Sequence, residues 1–352
     1  MTTPAPGTAP ARVALVGAGT IAGSYIDSLR ATPGFEPVTV CARRADTARD
    51  FAARHGLAAA SFEAMLADAR IDYVLNLTPA HAHEAVTRAC LEAGKSVYSE
   101  KPLATTLAGA DALIELAETR GLLLACAPAT FLWPPYATAR RLVAEGALGR
   151  VSGALSVLVY PGPELFHPNP VHLYGAGAGP LHDMGVYQVT ALNALLGPVV
   201  TVTAMTSQAH ATRTVRVGPD AGHAFEVATP THIHAQLRHA SGTITSLIVS
   251  FDALSAGSAR LDLFGEKAGL SIADMHSPTA KLFQSDKLGD RREVPVDGPP
   301  WSSAAWCVGA TSAWTEFRSG LPVATCARRA RDTLGVLLAI ERSAETARTL
   351  KI

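Results

Sequence analysis

The sequence has little charge of either sign, and its charges cancel. Only 17% of its 352 residues are charged, and 30 Lys and Arg balance 30 Asp and Glu. Proteins that bind nucleic acid or anionic lipid through electrostatics carry a basic excess, which this chain lacks. A hydrophobic content of 48% is also too high for a disordered chain. We therefore expect a globular protein with neither a nucleic-acid nor a membrane partner.

Cysteine is scarce and scattered. The chain has five cysteines, and no two of them form a Cys-x-x-Cys pair, which argues against a disulfide framework and a zinc ribbon. No apolar run approaches the roughly 18 residues that a membrane-spanning helix needs. Residues 1–10 have neither the basic start nor the apolar run of a signal peptide. These absences predict a cytoplasmic protein with a disordered tail over residues 1–10.

The hydrophobic pattern divides the rest of the chain into two parts. Over residues 11–128, short apolar runs alternate with helical periodicity, which is typical of a parallel sheet with crossover helices. Over residues 129–352 the strands are longer, and 231–251 has the alternation of a half-buried antiparallel hairpin. The predicted fold class is α/β, with an N-terminal doubly wound Rossmann domain and a C-terminal α+β domain for substrate binding and oligomerisation. That second domain is expected to have an open, mostly antiparallel sheet, and its last helix, near 327–350, could pack back toward the first domain.

The periodicity also predicts the elements of the first domain. Its predicted strands are 12–16, 38–42, 73–77, 96–99 and 122–127. Its predicted helices are 20–30, 45–55, 62–67, 82–92 and 107–120. Each predicted helix ends near a glycine or proline signal, such as Pro33-Gly34, Gly56, Gly94 and Gly121, and both residues are typical just past a helix C-terminus.

The first predicted strand leads into a glycine-rich turn. Residues 17–22 read GAGTIA and open a helix, the context in which Gly-x-Gly-x-x-Ala binds the pyrophosphate of a dinucleotide. Gly17 permits the tight turn, Gly19 lets the backbone approach the ligand, and Ala22 lets the helix lie close to the strand. Unpaired N–H groups at the positive end of the helix then hold the phosphates. The cofactor-binding residues predicted from this turn are Gly17, Gly19, Thr20 and Ile21.

The end of the second predicted strand favours NADP(H) over NAD(H). NAD-binding domains normally place a carboxylate there, which accepts hydrogen bonds from the ribose hydroxyls. In this chain Arg43 and Arg44 stand at that position, and no carboxylate precedes Asp46. Two guanidinium groups would bind a 2′-phosphate through charge-assisted hydrogen bonds. The open alternative is that both arginines are only solvated, in which case NAD(H) can bind as well.

Three further motifs carry residues suited to chemistry. They read LNLTPAHAH at 75–83, GKSVYSEKP at 94–102 and DMGVY at 183–187. Together with the glycine-rich turn, they resemble the Gfo/Idh/MocA family (glucose-fructose oxidoreductase, inositol dehydrogenase, rhizopine catabolism) over nearly the full chain. The resemblance implies a nicotinamide-binding N-terminal domain. It also implies a C-terminal sheet that often serves oligomerisation, here as a homodimer or homotetramer.

The resemblance assigns roles to single residues. In the family, the lysine of Glu-Lys-Pro, here Lys101, lies beside the nicotinamide and the reacting carbon. The later histidine of the Thr-Pro turn, here His83, lies near the nicotinamide ribose. An ammonium group at a strand end can donate a proton or a hydrogen bond to the oxygen of a carbonyl that is being reduced. The other cofactor contacts expected from these two motifs are Thr78, Pro79 and Glu100.

Asp183 and Tyr187 are four residues apart at the start of a predicted helix, so we expect both on one helix face. Many family members have a histidine where this chain has Tyr187, and the Tyr form resembles the branch that contains dimeric dihydrodiol dehydrogenase. Two roles stay open: Tyr187 carries the proton beside Lys101, or Lys101 carries it while Tyr187 orients the hydroxyl. Asp183 would hold Lys101 or a substrate hydroxyl, or it only caps its helix.

The segment 161–180 is rich in proline and glycine and precedes the predicted catalytic helix, which makes it a candidate substrate loop. Trp133, His172 and Tyr174 are candidate contacts for a sugar-like substrate, although packing or surface roles also fit them. The His-x-His pair at 81–83 lies on the Thr-Pro turn, and the pair at 232–234 shares one strand face with no third ligand nearby, so no metal site is predicted.

The predicted function is hydride transfer between NADP(H) or NAD(H) and a secondary hydroxyl or keto carbon of a sugar, polyol or related small molecule. One alternative is redox-assisted glycoside cleavage with tightly held NAD. Another is a non-catalytic regulator of the same fold that senses cofactor or sugar. The presence of Lys101, Asp183 and Tyr187 together favours an enzyme.

Overall fold

The computed structural model describes residues 9–253, 258–298 and 306–352, and these group into two compact units. The first contains the described residues up to 132 together with 306–334. The second contains the described residues from 133 to 298 together with 335–352. The predicted boundary lies at residue 128. In the structure the chain passes to the second unit after residue 132, returns to the first between residues 298 and 306, and passes to the second again after residue 334.

The first unit contains a six-stranded parallel sheet. Its strands are β1 (Ala11–Val16), β2 (Phe35–Cys41), β3 (Ala58–Ala59), β4 (Tyr73–Asn76), β5 (Ser96–Ser99) and β6 (Leu124–Cys126). Their spatial order is β3-β2-β1-β4-β5-β6, which is that of a doubly wound dinucleotide-binding fold. The strand order reverses between β1 and β4, which makes this the topological switch point of the sheet. Ligands of such sheets bind there, beyond the carboxyl ends of the strands. The predicted Rossmann sheet is confirmed, with the short β3 in addition.

Helices connect these strands. They are α1 (Ala22–Ala31), α2 (Ala45–His55), α3 (Phe62–Ala67), α4 (His83–Glu92) and α5 (Leu107–Thr119). Local signals set several of their ends. Ser61 caps α3 and Thr106 caps α5, each by accepting from a backbone N–H three residues later. Gly56 ends α2 with a left-handed φ of 60°, a conformation that glycine adopts at little cost.

The second unit is built on a nine-stranded sheet. Its strands are β7 (Val151–Val159), β8 (Val199–Ser207), β11 (His232–His239), β12 (Ile244–Ser250), β13 (Ser258–Gly265), β14 (Gly269–Ala273), β15 (Lys281–Ser285), β16 (Arg291–Val294) and β17 (Leu350–Lys351). A separate ribbon pairs β9 (Thr212–Thr214) with β10 (Ala224–Glu226). The spatial order of the large sheet is β16-β15-β14-β13-β7-β12-β11-β8-β17. Its described neighbours are antiparallel except β7 and β12, which confirms the predicted open, mostly antiparallel sheet.

Period-two alternation decides which face of this sheet is buried. In β11, Ile233 and Leu237 are buried while His234 and Gln236 between them are exposed. The hairpin of β11 and β12 therefore has the predicted amphipathic form. This unit also contains the helices α6 (Pro134–Ala144) and α7 (Val186–Leu196).

A late segment of the chain completes the core of the first unit. Helix α8 (Val308–Arg318) is followed by the long helix α9 (Ala327–Thr346). The Tyr73 hydroxyl of β4 donates to the carbonyl of Ala310 in α8 at 3.1 Å. The Tyr73 ring also stacks on Trp314, with centroids 5.0 Å apart. The sequence pattern does not predict α8, because nothing local shows which sheet a late amphipathic helix will cover.

A buried charge cluster fastens the proline- and glycine-rich segment 161–180 within the second unit. The guanidinium of Arg213, in β9, contacts the carboxylates of Glu164 and Asp252. Arg213 is 9% exposed and Glu164 is 6% exposed, so the ion pairs are largely shielded from water. Tyr174 donates its hydroxyl to Glu164, and burial raises the pKa of this phenol, which keeps it a donor. The cluster ties the segment to β9 and to the residues that follow β12.

Arg213→Met should destabilise the second unit, because it leaves two buried carboxylates without a cation. Removal of one partner from a buried ion pair costs about 3–5 kcal/mol. Arg150→Met is the matched control: its 2.9 Å pair with Glu266 is exposed, and such pairs contribute at most about 1 kcal/mol. Urea unfolding monitored by circular dichroism measures both free energies. Equal stability of the two variants would contradict the structural role of the cluster.

Candidate active site

In the turn between β1 and α1, Gly19 has room for a Cβ atom and Gly17 does not. Gly17 has a φ of +112°, and a Cβ there would lie 2.4 Å from the carbonyl oxygen of Leu77. Only glycine fits this position, on both conformational and steric grounds. A Cβ on Gly19 would meet no atom within 4 Å, so the backbone there is open to a ligand. Ala22, the first residue of α1, is fully buried.

The N-terminus of α1 suits an anion. Its cap residue is Ile21, no side chain among the described residues caps its first turn, and that turn contains no acidic residue. Unpaired N–H groups and the positive end of the helix dipole both favour a negatively charged group here. The predicted phosphate-binding residues Gly19, Thr20 and Ile21 all lie in this turn.

Lys101 follows β5, at the same edge of the sheet as the glycine-rich turn. The carboxylate of Glu100 accepts from the Lys101 backbone N–H at 3.1 Å and from the Tyr25 hydroxyl at 2.7 Å. The N–H of Glu100 donates to the carbonyl of Asn76 at 2.8 Å. Burial raises the pKa of Tyr25, so its phenol remains a donor to Glu100. Glu100, predicted to contact the cofactor, thus supports the backbone of Lys101.

The other lysine of this motif is structural. Lys95 is 6% exposed, and its Nζ donates to the backbone carbonyls of Asp68 at 2.6 Å and Ile71 at 3.1 Å. These two carbonyls lie beyond the end of α3, where no helical N–H is available to them. The Lys95 ammonium supplies the donor instead. Lys101 stays the predicted catalytic lysine of this motif.

His83 lies inside the first unit and is 1% exposed. Its Nδ1 is 2.6 Å from the carbonyl oxygen of Pro102, and its Nε2 is 2.6 Å from that of Thr78. Both ring nitrogens therefore have backbone partners, and the expected contact with a ribose would require one of them to be broken. The Thr78 hydroxyl donates to Asn76 at 2.6 Å, while Pro79 is exposed.

The two arginines after β2 differ in their surroundings. Arg44 donates from Nε and one terminal nitrogen to the Thr47 hydroxyl at 3.0 and 2.9 Å, and it lies 3.5 Å from Asp46. Arg43 is exposed and makes no hydrogen bond or ion pair with a residue in the described ranges. Arg43 is therefore the guanidinium more readily available to a phosphate group.

Asp183, in the second unit, lies in a π-helical turn, Leu181–Gly185, that leads into α7. Tyr187 lies in the first turn of α7. The spacing of four predicts one α-helical face for both, but the wider π turn, closed by i→i+5 bonds, changes that relation. The cap of α7 is Gly185, which has no side chain, so Asp183 does not cap this helix. Such π turns are frequent at functional sites.

Tyr160 lies close enough to Asp183 to feel its charge and is not predicted from the sequence. It follows β7. Burial, and then the charge of Asp183, raise the pKa of Tyr160, so the phenol stays protonated. Its ring packs 5.2 Å from that of Phe251 and 5.9 Å from that of Phe166. A tyrosine directly before a Pro-Gly segment is the one signal in the sequence, and it does not identify Asp183 as the partner.

His276, between β14 and β15, is a second residue that the sequence analysis does not identify. The Tyr187 ring lies edge-on to it, with centroids 4.8 Å apart and planes at 88°. The ring of Trp133 lies 6.4 Å from His276. Trp133 is 6% exposed, which favours the packing role over direct stacking on a substrate.

The two candidate substrate contacts in the segment 161–180 differ. Tyr174 is fully buried and bonded to Glu164, so it has no exposed surface for a substrate; the expectation that it contacts a sugar is therefore replaced by a packing role. His172 is exposed, and its ring lies 5.5 Å from that of His167. His172 therefore stays a candidate contact.

The predicted catalytic residues belong to different units. Lys101 lies in the first unit, and Asp183 and Tyr187 lie in the second. Their meeting around a cofactor stays a prediction. Among the residues that the structure describes, no group of three or more His, Cys, Asp or Glu could hold a metal ion. No helix in the described ranges is long and apolar enough to cross a membrane.

Two relatives and one solved structure place the chain among known enzymes. The trans-1,2-dihydrobenzene-1,2-diol dehydrogenase of Macaca fuscata fuscata is 31% identical over 191 residues, which is 53% of this chain and 56% of that enzyme. The chain thus matches little more than half of that relative's length. The dTDP-3,4-didehydro-2,6-dideoxy-alpha-D-glucose 3-reductase of Streptomyces violaceoruber is 28% identical over 275 residues, 76% of this chain and 74% of that enzyme. A levoglucosan dehydrogenase in complex with NADH and L-sorbose has the same fold, with a TM-score of 0.86, 18% identity and coverage of 97% of this chain and 98% of that one.

Family models match both parts of the chain. Residues 11–127 match the model for the NAD-binding Rossmann fold of the Gfo/Idh/MocA oxidoreductases. Residues 136–271 match the model for the C-terminal domain of the same family. The predicted resemblance is thereby confirmed, and the chain belongs to the Gfo/Idh/MocA family of NAD-binding oxidoreductases.

Proposed function

We propose that this protein is an NADP(H)-preferring dehydrogenase or reductase of a secondary hydroxyl or keto carbon in a sugar, polyol or related small molecule. One observation carries the proposal: Lys101 and the glycine-rich turn lie at the same edge of the first sheet. β1 pairs with β4, and β4 pairs with β5, so the residues that follow β1 and β5 share the carboxyl edge. Doubly wound sheets bind their ligands at this edge.

The residues at this edge fit a dinucleotide. Gly19 leaves open the space that a Cβ would occupy, and the first turn of α1 offers N–H groups without a side-chain cap among the described residues. Arg43 supplies an exposed guanidinium after β2, which supports a 2′-phosphate and hence NADP(H). The nicotinamide, when bound, accepts or delivers the hydride.

The protein must then manage one proton at the substrate oxygen. When a carbonyl is reduced, hydride adds to its carbon and a proton reaches its oxygen; oxidation reverses both transfers. Either the Lys101 ammonium donates this proton while Tyr187 orients the oxygen, or Tyr187 donates it beside Lys101. Asp183 orients a substrate hydroxyl or Lys101, and the phenol of Tyr160 lies near its carboxylate.

The substrate class is supported by the names of relatives and by the segment 161–180. One relative is named for a diol and another for a dideoxy-glucose. Phe166 is 64% exposed beside Tyr160, and His172 is exposed in the same segment. These side chains would offer one apolar and one polar contact to a small hydroxylated molecule. A homodimer or homotetramer through the C-terminal sheet stays part of the proposal.

Lys101→Met should lower kcat/KM by about 100-fold or more, because a positioned acid or base contributes about 10²–10⁴-fold, and should leave the cofactor Kd unchanged. The assay is nicotinamide absorbance with a panel of polyols and keto-sugars, with NADPH and NADH. Tyr187→Phe tests the division of labour: a loss equal to that of K101M assigns the proton to Tyr187, and a smaller loss assigns it to Lys101. Lys287→Met, at an exposed lysine, is the control.

Wild-type turnover of a glycoside without net change in the cofactor would instead support redox-assisted cleavage. Cofactor binding without turnover of any compound would support the sensor. Either result contradicts the proposed dehydrogenase activity.

Gly19→Ala should weaken NADPH binding while the apoprotein keeps its Tm, because the new methyl group meets no protein atom within 4 Å but occupies space that the ligand needs. Gly17→Ala is the comparison. Its methyl group would lie 2.4 Å from a backbone oxygen, so the Tm itself should fall. Differential scanning fluorimetry and a fluorescence titration with NADPH measure the two effects. Unchanged NADPH affinity in G19A means that the cofactor does not lie against this turn.

Arg43→Ser should lower kcat/KM for NADPH roughly tenfold to a hundredfold, the equivalent of about 1.5–3 kcal/mol for a charged hydrogen bond. The value for NADH should stay the same, since NADH has no 2′-phosphate. Arg44→Ser should lose less, because Arg44 already bonds Thr47. Steady-state kinetics with both cofactors provides the comparison. Equal or better use of NADH by the wild-type protein would contradict the preference for NADP(H).

A further inference from the structure

His83 lies between two groups that can only accept hydrogen bonds. Its Nδ1 is 2.6 Å from the Pro102 carbonyl oxygen, and its Nε2 is 2.6 Å from the Thr78 carbonyl oxygen. A neutral imidazole carries one N–H, on either ring nitrogen. The contact with Pro102 is a hydrogen bond when Nδ1 carries the proton, and the contact with Thr78 is one when Nε2 carries it.

The two carbonyls belong to different motifs. Thr78 lies in the turn that follows β4, and Pro102 follows Lys101 directly after β5. We propose that His83 is a positioning residue whose ring fastens the backbone at Lys101 to the turn at Thr78. The part of this inference that concerns turnover rests on the proposed function, in which Lys101 acts on the substrate oxygen.

The backbone of His83 is itself fixed, so its ring can act as a rigid tie. The Asn76 Nδ2 donates to the His83 carbonyl at 3.1 Å and to the Thr87 hydroxyl at 3.0 Å. The Asn76 Oδ1 accepts from the hydroxyl of Thr78 at 2.6 Å and from its N–H at 3.3 Å. One asparagine thus holds both the start of α4 and the turn after β4. The His83 ring then connects these residues to the carbonyl of Pro102.

The geometry also distinguishes the positioning role of His83 from a direct contact between His83 and the cofactor. The family resemblance places this histidine near the nicotinamide ribose, but both of its nitrogens already face backbone oxygens, and the side chain is buried. A ribose contact and a backbone tie predict different kinetic losses when His83 is replaced. The tie affects the rate of the step that uses Lys101, and the contact affects the affinity for the cofactor.

The bond to Pro102 is measured without turnover. The apoprotein is labelled with ¹⁵N-histidine, and the His83 ring signals are assigned by their loss in His83→Gln. We expect Nδ1, which faces the Pro102 carbonyl oxygen, to give the ¹⁵N shift of a protonated nitrogen. The shift of an unprotonated nitrogen at Nδ1 would overturn the tie.

The positioning role is measured with two partial mimics. The amide nitrogen of His83→Asn can replace Nδ1 and keep the bond to Pro102, whereas that of His83→Gln can replace Nε2 and keep the bond to Thr78. We expect kcat to fall about tenfold or more in H83Q, equivalent to about 1.4 kcal/mol, and to fall less in H83N. The cofactor Kd should not change in either variant. His81→Gln, at an exposed histidine two residues earlier, is the matched control for kcat and Tm.

The outcomes separate this inference from the proposed function. A raised cofactor Kd with unchanged kcat in both His83 variants supports ribose contact and overturns the tie, as does an H83Q variant as active as H81Q. Absence of turnover in the wild-type protein contradicts the proposed function instead. The tie is then tested by amide hydrogen exchange at Lys101, which should be faster in H83Q than in H81Q; equal exchange overturns it.

Discussion

The candidate site of the first unit depends on which groups hydrogen-bond to the backbone where the parallel strands end. Carbonyl and N–H groups that leave a sheet still need partners when they are buried. Here the partners are motif side chains. Asn76 accepts from the Thr78 hydroxyl in the turn after β4, and Glu100 accepts from the backbone N–H of Lys101. The His83 ring contacts the carbonyls of Thr78 and Pro102 and so connects the two segments. The motif residues therefore build the edge of the sheet before they meet any ligand. Lys101 owes its fixed backbone to these neighbours.

The sequence predicts those elements whose ends are marked by residues close to them in the chain. The bounds of α2, α3 and β5 agree with the predicted ones, because turn residues and periodicity mark both ends of each element. Helix α8 is different, since its place in the first unit depends on contacts with Tyr73, more than 200 residues earlier, as the separation of 237 between Tyr73 and Ala310 shows. No local pattern contains that pairing.

The same distinction holds within the candidate site. The role of Gly17 can be predicted because the turn it permits is formed by its neighbours in sequence. The proximity of Tyr160 to Asp183 and the ring contact of Tyr187 with His276 join separate elements, so the sequence motifs do not identify Tyr160 or His276. Tyr174 shows the opposite error: its place in a loop suggests exposure, but its bond to Glu164 makes it part of a small core.

The Arg213 cluster has a consequence for how this protein can change over evolution. It anchors the base of the segment 161–180 through groups that are shielded from water, while Leu165 and Phe166, immediately after Glu164, are 43% and 64% exposed. In the proposed role of this segment as a substrate loop, substitutions at those two residues would alter what it recognises without disturbing its anchorage. New specificity can thus arise in this lineage at small cost in folding, provided that the arginine and its two carboxylates are inherited together.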